Sequence, residues 1–213
     1  MAVSVVVAVG GVGDALVEAI RQRIAKLTVG NGTERVDMGP LISREHRDRV
    51  VDYVDQAPHE GATVVVDGRA ATPGGDGFFL APTLLDGVEP GMKAYDDEIF
   101  GPVLSVTRVD TYEEAVGLVN DNPYGNGTAI FTRDGGVARR FSWDAHAGMV
   151  GINVPIPVPA AQFSFGGWKN SLFGDTHMYG REGIKFYTRG KVITSRWPDP
   201  ATSRVDLGFP ETR

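Results

Sequence analysis

Short runs of β-branched residues alternate with amphipathic helical patterns along most of this chain, and that alternation limits the fold more than any other feature. Val5–Val9 is a β-branched run of strand length. Asp14–Val29 follows, with Leu16, Ile20, Ile24 and Leu27 at spacings of three and four, the pattern of a helix with one apolar face. Gly30-Asn31-Gly32 stops it. Ser43 is placed to cap a second helix running to about Gln56, with Val50, Val51 and Val54 on its inner face. Ala62–Val66, Phe79–Leu85 and Val103–Val109 read as strands, the second approached through the turn-rich Pro73–Gly77. Thr111-Tyr112-Glu113-Glu114 is a capping box opening a helix through Val119. Thr128–Thr132 and Met149–Val154 are further strands, with a short helix over Gly136–Trp143 between them. A proline-punctuated loop follows, and Ile193–Trp197 is a last strand candidate.

Strands alternating with helices imply an α/β layered fold, a largely parallel sheet with flanking helices. The expected main sheet contains Val5–Val9, Ala62–Val66, Val103–Val109, Thr128–Thr132 and Met149–Val154. Pro198–Arg213 has the composition of a disordered tail.

Composition excludes several functions. A net charge of −6, with no basic cluster beyond Arg139–Arg140, argues against nucleic acid as a partner, because phosphate binding needs grouped Lys and Arg. No apolar run approaches the ~20 residues of a membrane-spanning helix. Met1–Gly10 has neither the basic start nor the cleavage site of a secretory leader, so a cytoplasmic location is expected. The sequence has no cysteine, which removes disulfides, thiolate metal sites and a cysteine nucleophile together. Its four histidines are scattered, and no metal site is expected.

Two local patterns fail as catalytic motifs. Gly10-Gly11-Val12-Gly13 sits where a dinucleotide-binding glycine loop would sit, but Leu16 occupies the third glycine position and no acidic residue follows at the spacing that ribose binding requires. It reads as a plain strand-to-helix turn. Ser164, in Gln162-Phe163-Ser164-Phe165-Gly166, is not in a GxSxG elbow and has no base close by in sequence.

Asp97-Glu98-Ile99-Phe100-Gly101-Pro102-Val103 is the informative segment. On chemistry alone it is an acidic loop before a strand, with Phe100 plugging the core. Glu98–Val103 also resembles a signature of the NAD(P)-dependent aldehyde dehydrogenases. Met38–Ile42, Asn122–Phe131 and Phe165-Gly166-Gly167 follow that family in order. Gly151–Pro159, Phe163-Ser164-Phe165, Gly174-Asp175, Phe186-Tyr187-Thr188 and Ile193–Trp197 are similar to its coenzyme-A-acylating methylmalonate-semialdehyde branch. The likeness extends from about Met1 to Trp197.

The resemblance implies cofactor-binding roles for Glu98, on the nicotinamide-ribose hydroxyls, and for Phe100, against the nicotinamide. A carboxylate suits a diol because two acceptor oxygens meet two hydroxyls. Phe165 is implied as a wall of the substrate pocket. The implied reaction takes a small semialdehyde, NAD and coenzyme A to propionyl-CoA or acetyl-CoA, carbon dioxide and NADH, through a cysteine thiolate. Met1-Ala2-Val3-Ser4 resembles the residues directly after that cysteine. The chain is therefore expected to begin just after the nucleophile and to be inactive alone, with no catalytic residue of its own. Half of a split enzyme and a non-catalytic interaction module are the alternatives. The resemblance divides the chain into a catalytic-domain portion (1–186), an oligomerisation strand (187–197) and a tail (198–213). A homo-oligomer, or a missing N-terminal half, is the expected partner.

Overall fold

The structure, a computed structural model, describes residues 3–70, 73, 76–197, 199 and 201. The expected tail therefore lies outside the described residues except for Asp199 and Ala201, as do Met1, Ala2 and, within the Pro73–Gly77 loop, Gly74 and Gly75.

β1 (Val5–Val9) has the bounds its β-branched run implies. Gly10 turns the chain with φ +64°, a conformation that suits glycine, and one 3-10 turn leads into α1 (Gly13–Ile24). The helix stops short of Val29 because Thr28 is drawn off: its main-chain N–H and hydroxyl both donate to Asp37, each at 2.8 Å. Ser43 caps α2 (Arg44–Glu60), its hydroxyl accepting from the His46 N–H at 3.1 Å, and Gly61 ends it. β2 (Thr63–Val66) follows. β3 (Thr83–Asp86) is shorter than Phe79–Leu85, since Pro82 has no N–H for a ladder. α3 (Lys93–Asp96) is a single turn, and β4 (Val103–Val109) is the central strand.

These strands form one sheet in the order β1-β4-β3-β2, with β1 and β3 parallel to β4 and β2 an antiparallel edge. Successive side chains leave opposite faces. Leu85 and Val103 enter a core with Val50, Val54 and Ala57 of α2, whereas Leu84 and Val106 enter a second core with Ala8 of β1 and Val17 of α1. The result is helix on sheet on helix. Polar side chains on the α2 side are paired: Ser105 donates to the Ala94 carbonyl at 3.2 Å, and Thr107 to that of Val88 at 2.7 Å.

The capping box at Thr111 opens α4 (Tyr112–Asp121), with both reciprocal bonds formed. Beyond it come β5 (Tyr124–Gly125), β6 (Gly127–Ile130), α5 (Gly135–Asp144), β7 (Met149–Ile152), β8 (Trp168–Lys169) and α6 (Gly180–Tyr187). β6 and β7 are parallel as expected, but they pair with each other in a separate two-stranded sheet, and β5 pairs with β8. The single main sheet expected from the sequence is corrected on this point: periodicity marks a strand without saying which edge it joins. α5 is tied to α4 by Arg140, which bonds Glu113 and Asp144 and lies over the Tyr112 ring at 4.6 Å.

Residues 189–197 carry no regular secondary structure, so the Ile193–Trp197 strand does not form within the single chain. A strand needs a ladder partner. Among the described residues, no helix is long and apolar enough to cross a membrane.

Candidate functional site

Each residue from Asp97 to Val103 has a distinct physical task. Asp97 accepts from the Tyr53 hydroxyl at 2.8 Å, and burial, with this carboxylate beside it, pushes that phenol above its usual range. Ile99 is only 8% exposed and plugs the core formed with Val50 and Val54. Phe100 does the reverse of what local chemistry suggests. It is 77% exposed, so the core plug is Ile99 and not Phe100. Glu98 is exposed as well, and no described residue pairs with its carboxylate. Glu98 and Phe100 thus stand out on either side of a buried Ile99.

Phe100 has φ +57°, rare for a residue with a Cβ, and such strain persists only where the surroundings over-determine it. The surroundings here are visible. Its carbonyl accepts from His46 Nε2 at 2.7 Å. A Cβ on the next residue, Gly101, would lie 2.7 Å from both Val50 methyls, so only glycine lets the chain pass this close to α2. The Pro102 carbonyl then accepts from the Thr83 N–H at 2.7 Å, joining the segment to β3.

Phe165 lies in another region. It is half-buried and meets Tyr179 at 5.9 Å between ring centroids. No ring contact joins it to Phe100 among the described residues. Sequence spacing hides what surrounds it. Ser164 donates to Glu182 Oε2 at 2.5 Å and lies 2.8 Å from His177 Nδ1, although these partners are 18 and 13 residues away. The serine proton goes to the carboxylate, so Nδ1–H of the imidazole donates to Oγ and cannot act as a base on it. The cluster is a knot, not a hydrolytic triad. The Ser164 hydroxyl first, then the His177 main-chain N–H, hold the Glu182 carboxyl below the usual carboxylate range.

Two more polar anchors escape sequence reading. Lys169 Nζ donates to the carbonyls of Val119, Asn120 and Asn122 at 3.0–3.2 Å, closing the C-terminal end of α4 where a cation complements the helix dipole. Asn153, with φ +57°, exchanges two bonds with the Thr132 main chain and so fixes the start of the proline loop beyond β7. The one available signal was asparagine's tolerance of the left-handed region.

The family model described as the aldehyde dehydrogenase family matches residues 1–193. The chain belongs to the aldehyde dehydrogenase family. The members of this family are oxidoreductases, and the α/β architecture of the chain is the one its solved relatives share. It is 53% identical to a malonate-semialdehyde dehydrogenase of Pseudomonas aeruginosa across 99% of the chain and 43% of that relative. A malonate-semialdehyde dehydrogenase of Geobacillus thermodenitrificans is 47% identical, covering 92% of the chain and 41% of its own length. Among solved structures, the methylmalonate-semialdehyde dehydrogenase of Oceanimonas doudoroffii superposes with a TM-score of 0.88 at 52% identity, over 93% of this chain and 41% of that one. A structure from Sinorhizobium meliloti, named as a methylmalonate-semialdehyde dehydrogenase and complexed with NAD, also gives 0.88, at 46% identity over 94% and 42%. The chain thus spans about two fifths of the length of these relatives.

Proposed function

We propose that the chain forms part of an NAD-dependent, coenzyme-A-acylating dehydrogenase of methylmalonate or malonate semialdehyde. The segment from Asp97 to Val103 carries the reading: its main chain is anchored on the inner side, while Glu98 and Phe100 are offered outward and unpaired among the described residues. Those two fit an NAD molecule. Glu98 would accept from two ribose hydroxyls, and Phe100 would brace the nicotinamide. When bound, NAD supplies the hydride acceptor. Phe165 would wall the pocket for a small acyl chain.

The covalent step of this chemistry needs a thiolate, and no residue of a cysteine-free sequence matches one as a nucleophile at neutral pH. The 213-residue chain alone should therefore form no NADH from aldehyde, with or without coenzyme A. Turnover above ~1% of a common enzyme rate of about 10 s⁻¹ would overturn that. Supplying the amino-terminal part of the Pseudomonas relative, fused or as a separate polypeptide, should restore coenzyme-A-dependent oxidation of malonate semialdehyde. Restoration by the separate polypeptide supports a split enzyme, and failure of both forms favours an interaction module instead.

The reading extends to a cytoplasmic homo-oligomer in which residues 187–197 pair across subunits, following a catalytic-domain portion over 1–186. Val192, Ile193 and Trp197 are exposed in the single chain, an apolar surface that favours association. Light scattering on the purified chain should show oligomers or aggregates, reduced by Ile193→Lys. A monodisperse monomer at tens of micromolar would count against this part.

A further inference from the structure

The outward stance of Glu98 and Phe100 depends on how α2 holds the main chain between and around them. Three groups at helical spacing on α2 reach this segment. His46 bonds the Phe100 carbonyl, Val50 packs against Gly101 and in one core with Ile99, and Tyr53 bonds Asp97. Positions 46, 50 and 53 lie on one face of a helix, one turn apart. Two of the three contacts are polar, and one of these reaches the residue with the strained backbone.

The ring geometry of His46 leaves one protonation pattern. A carbonyl oxygen has no proton to give, so Nε2, 2.7 Å from Phe100 O, carries the hydrogen. The other nitrogen, Nδ1, lies 2.6 Å from Arg49 Nη2. A guanidinium only donates, so Nδ1 must carry the lone pair. His46 is thereby the neutral Nε2–H tautomer, oriented from behind by Arg49, as a ligating histidine is oriented by the partner of its second nitrogen. The capped first turn of α2 adds rigidity, because the His46 N–H is itself held by Ser43.

We propose that His46 is a positioning residue: through its Nε2–H it holds the Phe100 carbonyl, keeps Phe100 in the left-handed conformation, and so presents the Glu98 and Phe100 side chains to the dinucleotide. Arg49 fixes the tautomer, and Tyr53 steadies the other end of the segment through Asp97. The consequence for the cofactor rests on the function proposed above. The clamp itself does not.

The purified chain tests the clamp without any cofactor. Long-range ¹H–¹⁵N NMR of the imidazoles at neutral pH should show His46 as the Nε2–H tautomer, and Arg49→Met should release it to a mixture. Amide exchange over Ile99–Val103 should accelerate in His46→Ala by about three- to tenfold, the equivalent of one net hydrogen bond. His46→Gln, whose amide N–H₂ can still donate to the carbonyl, should restore the slow exchange. Tyr53→Phe is a second probe that leaves the core intact, and it should accelerate exchange nearer Asp97 than Phe100. An Nδ1–H tautomer, or exchange at Ile99–Val103 unchanged in His46→Ala, would overturn the clamp. In the enzyme completed with the amino-terminal part of the Pseudomonas relative, His46→Ala should raise KM for NAD several-fold more than KM for the semialdehyde, with His46→Gln recovering it. A clamp confirmed by exchange but with no effect on KM for NAD, while Glu98→Gln does affect it, would overturn the positioning role. If Glu98→Gln is also silent, the cofactor reading fails, and the proposal with it, although the clamp stands.

Discussion

The segment Asp97–Val103 and the segment Phe163–Tyr187 carry the two halves of the expected site, and they are held in opposite ways. The first is nailed down by one apolar side chain, Ile99, sunk between α2 and the four-stranded sheet, with polar bonds at its margins. The second leaves most of its large apolar side chains in solvent, Phe163, Phe173, Ile184, Phe186 and Tyr187 among them, and relies on the Ser164–His177–Glu182 knot and the Lys169 clamp. A buried plug excludes water and is insensitive to pH. A polar knot on an exposed segment holds geometry but contributes little net stability, because water competes for each bond. The apolar surface still to be covered lies mainly around Phe165 rather than on the α2 side of the sheet.

Ile99→Ala should have the largest effect, lowering the stability of the chain by about 2–4 kcal/mol in urea unfolding, since it empties a buried site. Ile184→Ala, at a position 67% exposed, should change it by under about 0.5 kcal/mol. Equal losses would erase the distinction. Glu98→Gln should leave unfolding unchanged yet weaken NAD binding or hydride transfer in the completed enzyme by about 1.5–3 kcal/mol, the worth of a charged hydrogen-bonding group. Unaltered kinetics would return the segment to a plain loop.

The smallest effect concerns acid. The folded pKa of Glu182 lies below its unfolded value, so its ionised form strengthens the knot. That contribution is fully present above the ordinary glutamate value of about 4.3 and is lost as pH falls through the lower folded value. Amide protection factors around His177, which allow for the intrinsic slowing of exchange in acid, should therefore fall in that range, while those of the buried β4 core around Val106 hold. Glu182→Gln should abolish the acid step; a step that survives the substitution assigns it to another group.

Much of this was legible in the residues themselves. β1 and β4 have the bounds their β-branched runs imply, Ser43 and Thr111 cap the helices they precede, and Glu98–Val103 stands out as a motif. These are local properties: a cap or a strand pattern is set by neighbours within a few positions, so sequence spacing contains it. The family, too, was readable from ordered motifs. Tertiary structure decided the rest. It placed β6 and β7 in a sheet of their own, turned Ile99 inward and Phe100 outward, and brought Ser164 to His177 and Glu182, and Lys169 to the end of α4. Local chemistry put the bulkier Phe100 in the core; the structure puts Ile99 there and leaves Phe100 exposed, beside a Gly101 that passes close to Val50. Strand edges and polar partners far apart in sequence meet only when the whole chain has packed. Local pattern specifies what each segment is, and the long-range contacts specify what it touches.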